Sequence, residues 1–417
     1  MLFMIHLVLL MIICVCSGSP KRILYLPLDE RFTTRDLLLN LGKLTSFIIE
    51  TPSKQVLSKW KTSADLEKID EFIDERVEHA DLLLISAEMY LYGGLIASRI
   101  SNDTTIVIEK RLEKLILYRS MYPNLDIYVS NVVQRIPSYN GDFEEPWYWE
   151  EYGEDLYTYS YFTDKYSQTS DPNDQNRADE ARQKVPASAV NEFLWRRERN
   201  HNITMTMLHG MTNERGKHEA VLPFFADKLS RKAVFNYLYT TLDDSAEYGF
   251  NIREAAEIND YIATNEYIDG TTCPVYPGAD EVHATMLAKY AVQIQRGGKP
   301  ISISLVFKNE STVSLIPSYE GQPMIDTLTQ QIVAAGGVVF DSTSQDHYDT
   351  MLLVNNFEDE TQLEASEQPI YLSENDLAKY SARFDTNLKD AISQGISNSL
   401  RISLNFKYNL YLLSRMN

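Results

Sequence analysis

The chain has 417 residues, of which 44% are hydrophobic and 24% are charged, and this composition is typical of a folded globular protein. Its net charge of −20 at pH 7 would repel the phosphate backbone of a nucleic acid and an anionic membrane surface. Composition and charge therefore exclude a wholly disordered chain and argue against nucleic acid as a partner.

The first segment, residues 1–19, is almost entirely apolar and ends in small residues. This pattern is typical of a secretory signal peptide, and the run is short for a membrane-spanning helix. The alternative is a signal anchor. N-glycosylation sequons at Asn102, Asn202 and Asn309 also indicate export. We therefore expect a secreted, extracellular protein that has no membrane contact after signal cleavage.

The mature chain alternates short β-rich apolar runs with longer segments of helical spacing, which predicts βα units and a parallel sheet. Eight apolar runs precede residue 310: Ile23–Leu28, Ser46–Glu50, Leu82–Ser86, Asp126–Asn131, Ile203–Leu208, Val234–Thr241, Cys273–Tyr276 and Ile301–Phe307. Helical spacing is found in Thr33–Leu41, Ala64–His79, Ile106–Tyr122, Ala187–Asn200, Glu219–Leu229, Ile252–Ile262 and Glu281–Gln295.

Eight βα repeats match the size of a (β/α)8 barrel. The fold prediction is therefore an α/β protein whose residues 20–310 form a (β/α)8-barrel-like catalytic domain. An open doubly wound sheet is the alternative, because strand order cannot be read from one sequence. Residues 132–186 form an aromatic insertion after the fourth strand, and long connections of this kind are usually functional. Residues 311–417 are predicted to form a small appended α/β region.

Polar residues follow the carboxyl ends of most predicted strands. In a parallel α/β fold these ends converge on the face that binds ligands. We therefore expect the candidate site residues to lie in one cleft: Asp29, Glu30, Arg31, Glu88, Tyr92, Arg135, His209, Asp243, Asp244, Asp280 and Glu281.

Asp243 and Asp244 are the candidate catalytic pair. Carboxylates that are held close together raise one another's pKa, which can make one of them a general acid near neutral pH. The alternative is a helix N-cap, a position at which Asp is also preferred. The other residues are candidate substrate ligands. Arg31 and Arg135 could clamp a substrate oxygen, whereas a lone histidine such as His209 is more often structural.

The sequence lacks H-E-x-x-H, paired cysteines in the mature chain, the phosphate-binding G-x-x-x-x-G-K-[ST] loop and the G-x-S-x-G serine-hydrolase motif. We therefore predict no cofactor and no metal. The expected partner is a carbohydrate or another small polar substrate. A carboxylate-rich cleft that holds Ca²⁺ or Mg²⁺ stays open as an alternative.

Five motifs carry a family resemblance: Leu-Pro-Leu-Asp-Glu-Arg (26–31), Tyr-Gly-Gly-Leu-Ile-Ala-Ser-Arg (92–99), Arg-Ile-Pro-Ser-Tyr (135–139), Asp-Asp-Ser-Ala-Glu-Tyr-Gly (243–249) and Tyr-Pro-Gly-Ala-Asp-Glu-Val (276–282). In order and spacing, from about residue 23 to residue 357, the chain resembles the mostly bacterial family known as domain of unknown function 4127. The resemblance implies a shared fold and a shared cleft but no activity. Residues 383–417 lack the Gly- and Asn-rich stretch of that family, and loss of this stretch could leave the site altered or inactive.

The leading functional hypothesis is a secreted glycoside hydrolase, because sugar rings stack on aromatic side chains and cleavage needs two carboxyl groups. By local analogy with substrate-assisted N-acetylhexosaminidases, Asp244 is the general acid and Asp243 orients the acetamido group. Arg31, Tyr92 and Arg135 would hold the sugar. The alternatives are a metal-assisted hydrolase with an Asp-rich site (Asp29, Asp243, Asp244 and Asp280) and a non-catalytic carbohydrate-binding protein.

Overall fold

The computed structural model describes residues 20–43, 45–211, 233–243, 246–265, 268, 272–280, 282–307, 313–314, 316, 322–340, 348–355 and 409–414. The chain divides into two compact units between His283 and Ala284, whereas the sequence pattern predicts a boundary at residue 310. The predicted signal peptide, residues 1–19, lies outside the described residues.

The first unit contains a six-stranded parallel sheet in the order β2-β1-β3-β4-β5-β6. The strands are β1 (Arg22–Leu26), β2 (Ile48–Glu50), β3 (Leu82–Ser86), β4 (Asp126–Val133), β5 (Tyr237–Leu242) and β6 (Val275–Pro277). Every residue of β3 is buried, as is usual for a parallel strand that is covered on both faces. In the described part of the chain, β2 and β6 are edges, so the sheet is open rather than closed into the predicted barrel. The order is that of a doubly wound fold, the predicted alternative.

Helices flank this sheet. They are α1 (Leu37–Gly42), α2 (Leu66–Asp74), α3 (Leu95–Ile100), α4 (Thr105–Met121), α5 (Trp149–Thr169), α6 (Pro172–Lys184), α7 (Ala187–His209) and α8 (Phe250–Thr264). Apolar residues on α2, α4, α7 and α8 pack with β1, β3, β4 and β5 in one core. Within the insertion, α5 and α6 pack against each other, and residues of α5 and α7 form a second small core. The candidate helix at 219–229 lies outside the described residues.

The predicted strand Ile203–Leu208 is wrong, because this segment is the last part of α7. Ile203 and Met207 lie four residues apart on one helix face, and both are buried in the core. The hydroxyl groups of Thr204 and Thr206 donate to the carbonyl oxygens four residues earlier, at 3.2 and 2.9 Å. These bonds accommodate two β-branched residues in a helix, so the β-propensity of this segment wrongly predicts a strand.

The turn after β3 needs its two glycines. Gly93 has φ +89° and Gly94 has φ +130°, values that other residues rarely adopt. A Cβ atom on Gly93 would lie 2.0 Å from the Ser63 hydroxyl oxygen, and one on Gly94 would lie 2.6 Å from that of Ser58. The glycines therefore let the segment after β2 pack directly against the start of α3.

The second unit contains a sheet in the order β10-β9-β7-β8. Its strands are β7 (Ile301–Phe307), β8 (Gly337–Val339), β9 (Thr350–Asn355) and β10 (Asn409–Ser414); α9 (Val282–Arg296) crosses the unit boundary and α10 (Met324–Ala334) precedes β8. Strand β7 pairs in parallel with β8 and β9, and β10 runs antiparallel to β9. The run Ile301–Phe307 is therefore a strand, as predicted, but it belongs to this sheet. The described helices include none that is both long and apolar enough to cross a membrane.

Candidate functional site

A cavity of about 370 Å³ lies in the first unit, where the segments that follow the strands of the parallel sheet meet. Its lining residues are Asp29, Glu30, Arg31, Ser58, Trp60, Leu95, Ile96, Arg99, Arg135, Glu144, Asp243, Gly278, Ala279 and Asp280. Every strand of the six-stranded sheet is followed by at least one of them. This is the edge at which open α/β sheets bind ligands. The structure therefore brings together Asp29, Glu30, Arg31, Arg135, Asp243 and Asp280 from the candidate set.

The cavity lining contains a carboxylate–arginine–carboxylate cluster. The Arg31 guanidinium donates to Asp29 Oδ2 at 2.8 Å through Nε and to Asp280 Oδ1 at 2.8 Å through Nη2. Burial alone would lower the pKa of Arg31, but its bonds to Asp29 and the charge of Asp280 raise that pKa above its usual value. The Arg31 side chain is 48% exposed, so it can still meet a ligand.

A second, denser network contains two arginines and three carboxylates. Arg99 is 4% exposed, and its Nη1 lies 3.3 Å from Glu144 Oε2 and 3.2 Å from Glu145 Oε1. Its Nη2 donates to Asp243 Oδ2. Arg135 contacts the same glutamates at 2.8 Å (Nη2 to Glu144 Oε2) and 2.9 Å (Nε to Glu145 Oε1). The Asp243 carboxylate is thus fixed by a buried cation at the cavity wall.

Glu88 lies behind this wall and does not line the cavity. Its Oε1 accepts the backbone N–H of Val132 at 2.7 Å, and its Oε2 accepts the Ser86 hydroxyl at 2.9 Å. Burial raises the pKa of Glu88 from 4.5 to about 7, and the charge of Asp243 adds to this effect although the hydrogen bonds oppose it. Glu88 is therefore a buried carboxyl whose charge state changes near neutral pH.

Tyr92 and His209, two further candidate residues, do not line the cavity. Tyr92 is buried with its ring 5.1 Å from the Arg199 guanidinium, and burial raises the pKa of its hydroxyl. His209 ends α7, where its Nδ1 lies 2.6 Å from the Met205 carbonyl oxygen. Because that segment is helical, His209 does not follow a strand. Asp244 and Glu281 lie outside the described residues.

Asp29 is also held by a buried series of hydrogen bonds. The Thr34 hydroxyl donates to Asp29 Oδ1 at 2.5 Å, and the Thr34 carbonyl accepts from the Tyr25 hydroxyl. The ring of His283 joins the Tyr25 hydroxyl (3.1 Å from Nδ1) to the Ser130 hydroxyl (2.9 Å from Nε2). Burial lowers the pKa of His283 to about 3, so this histidine is neutral and links β1, β4 and the start of α9.

Sequence reasoning missed several residues of the site. Arg99, which binds three carboxylates, stands in the 92–99 motif but does not directly follow a strand. Glu144 and Glu145 lie in the insertion, and a polar pair in a long loop gives no distinct signal. Trp60 stands in a polar segment after β2 that no motif marks.

Among the described residues, no group of three or more His, Cys, Asp or Glu side chains is arranged to hold a metal ion. Three of the four proposed metal ligands are instead paired with arginine. Arg31 binds Asp29 and Asp280, and Arg99 binds Asp243. The fourth, Asp244, lies outside the described residues.

The fold and the site define an α/β protein with a polar, arginine- and carboxylate-lined cavity at the carboxyl edge of a parallel sheet. The chain belongs to the family described as "Protein of unknown function (DUF4127)", whose model matches residues 23–218 and 226–400. This match confirms the resemblance that the five motifs indicate. No curated protein and no solved structure gives a significant match.

Proposed function

We propose that this protein is a secreted glycoside hydrolase that binds a sugar in the cavity of the first unit. The observation that supports this proposal most strongly is the composition of the cavity wall. Carboxylates from three strand ends and from the insertion line the same space of about 370 Å³, together with one partly exposed tryptophan. Carboxylates cleave glycosidic bonds, and the apolar face of a sugar ring stacks on an aromatic ring. Cavities of this size accommodate small polar ligands.

The proposed mechanism gives each residue one role. Asp243, which Arg99 holds in place, orients the substrate, and Asp244, the next residue in the chain, is the general acid. Arg31 and Arg135, which both line the cavity, donate hydrogen bonds to sugar hydroxyl groups. Tyr92 is left out of this scheme, because it does not line the cavity. The apolar segment at residues 1–19 and the sequons at Asn102, Asn202 and Asn309 support export as part of the proposal.

The test is release of nitrophenol from a panel of aryl glycosides by the secreted protein and by the variants Asp243→Asn and Asp244→Asn. Loss of a positioned acid or orienting group should lower kcat by about 100-fold or more. Asp179→Asn, at an exposed position on α6, is the matched control and should retain full activity. Thermal melting of each variant separates loss of activity from loss of fold.

Absence of turnover on every glycoside, or full activity in both site variants, would refute the proposal. Two further arms address the other hypotheses. Loss of activity in chelator would identify a metal-assisted hydrolase. Sugar binding without turnover would identify a non-catalytic carbohydrate-binding protein.

A further inference from the structure

Two exposed aromatic side chains meet at the cavity. Trp60 lines the cavity and is 43% exposed, and Phe143, in the insertion before α5, is 68% exposed. Their ring centroids are 4.1 Å apart, with an angle of 69° between the ring planes. Large apolar side chains are not usually paired in the open on a protein surface, so this pair presents a continuous apolar patch beside a polar cavity.

Polar contacts within and between the two loops accompany this aromatic contact. Lys59 and Thr62 exchange two backbone hydrogen bonds of 2.9 Å, which close a tight turn with Trp60 near its tip. Lys61 Nζ lies 3.0 Å from Asp142 Oδ2, so an ion pair joins this turn to the residue before Phe143. The turn that carries Trp60 and the loop that carries Phe143 are therefore joined by an ion pair as well as by the ring contact.

The backbone of Trp60 is strained. Its φ of +53° lies in the left-handed region, which bulky residues rarely adopt. Glycine or asparagine would fit this position more easily. Strain of this kind is found preferentially at binding and catalytic sites, where a side chain must point in one direction. The turn therefore places an indole ring at the cavity although the Trp60 backbone adopts an unfavourable conformation.

We propose that Trp60 and Phe143 form a stacking subsite for a second sugar ring, so that the substrate is a neutral oligosaccharide of at least two rings. This inference rests on the proposed function and names its substrate class. The face of a sugar ring that carries C–H groups packs on aromatic rings, while its hydroxyl groups stay in contact with water and polar side chains. The cavity lining contains five carboxylates and three arginines, and this excess of negative charge disfavours a polyanionic sugar chain.

The experiment measures binding of a panel of neutral tetrasaccharides (chitotetraose, cellotetraose, xylotetraose and maltotetraose) by titration calorimetry, beside hydrolysis of aryl monosaccharide glycosides. The variants are Trp60→Gly, which removes the ring and the strain, and Trp60→Phe, which keeps a ring. Trp147→Ala is the control, because Trp147 is exposed but does not line the cavity. A ring that covers about 60 Å² of sugar surface contributes roughly a tenfold change in affinity.

We expect Trp60→Gly to weaken tetrasaccharide binding about tenfold and to lower kcat/KM on the monosaccharide glycoside by a smaller factor. Trp60→Phe should recover most of the affinity, and Trp147→Ala should match the wild type. Unchanged tetrasaccharide affinity in Trp60→Gly, an equal loss on both substrates, or no tetrasaccharide binding by the wild type would overturn the subsite. Tetrasaccharide binding that depends on Trp60 but occurs without hydrolysis of any sugar would support the subsite and reject the hydrolase.

Discussion

The carboxyl group of Glu88 offers a test of the electrostatics behind the cavity wall through the substitution Glu88→Gln. The side chain is fully buried and accepts hydrogen bonds from the Val132 backbone N–H and the Ser86 hydroxyl. Glutamine has nearly the same shape. Its Oε1 can still accept from Val132, and its amide can donate to the Ser86 oxygen. The substitution therefore removes the charge and little else.

The magnitude follows from the pKa of Glu88. Burial raises this pKa from 4.5 to about 7, so between these values the folded protein holds a proton that the unfolded chain has released. Stability therefore falls as the pH rises through this window and stays low above it. At about 1.4 kcal/mol for each unit of pKa, the loss amounts to about 3 kcal/mol above pH 8. Glutamine never ionises, so the variant should escape this loss.

Urea denaturation at pH 5 and at pH 8.5 measures the difference. We expect Glu88→Gln to match the wild type at pH 5, and to exceed its free energy of unfolding by up to about 3 kcal/mol at pH 8.5. Glu180→Gln, at an exposed position on α6, should show no such pH-dependent gain. A variant that is equally or less stable than the wild type at both pH values would refute the account of Glu88 as a buried, costly charge.

Other substitutions address the scaffold of the site. Gly93→Ala should lower the free energy of unfolding by about 2 kcal/mol or more, because the new Cβ collides with Ser63. Gly141→Ala, also at positive φ, places its Cβ no closer than 3.9 Å to the Tyr139 ring and should cost about 1 kcal/mol. Equal losses in urea denaturation would contradict this reasoning. Arg99→Ala leaves buried carboxylates without their arginine partner and should cost about 3–5 kcal/mol at pH 7. The cost should shrink as the pH is lowered, because burial raises the pKa of Glu145 and a protonated carboxyl group needs no counterion. Arg99→Lys should fall between the wild type and Arg99→Ala in the same measurement.

Much of the first unit could be predicted from sequence periodicity. Runs such as Leu82–Ser86 and Asp126–Asn131 are short, apolar and bounded by polar residues, and both are strands in the structure. Strand order and closure depend on contacts between distant segments, which no local pattern records. The open order therefore follows from pairings such as that of Leu24 with both Leu83 and Glu50.

The position of the site could be predicted better than the identity of the residues that line it. Asp29, Arg31 and Asp280 directly follow strands, and the cavity does contain them. Arg99 reaches the cavity from within α3, several residues after a glycine turn, so its role depends on three-dimensional packing alone. Glu88 and Tyr92 follow a strand as well, but a π-helical turn over Glu88–Tyr92 buries both side chains behind the wall.

The ion pairs of the cavity also bear on how the chain acquires its structure during synthesis. Arg99 and Asp243 are separated by 144 residues in the sequence, and Arg31 and Asp280 are separated by 249. A ribosome must therefore release nearly the whole first unit before either arginine can meet its distant partner. Contacts of such long range form late and slowly. Until then, Arg31 in the nascent chain lacks Asp280 and Arg99 lacks Asp243, so the ion pairs of the cavity are among the last contacts of this unit to form.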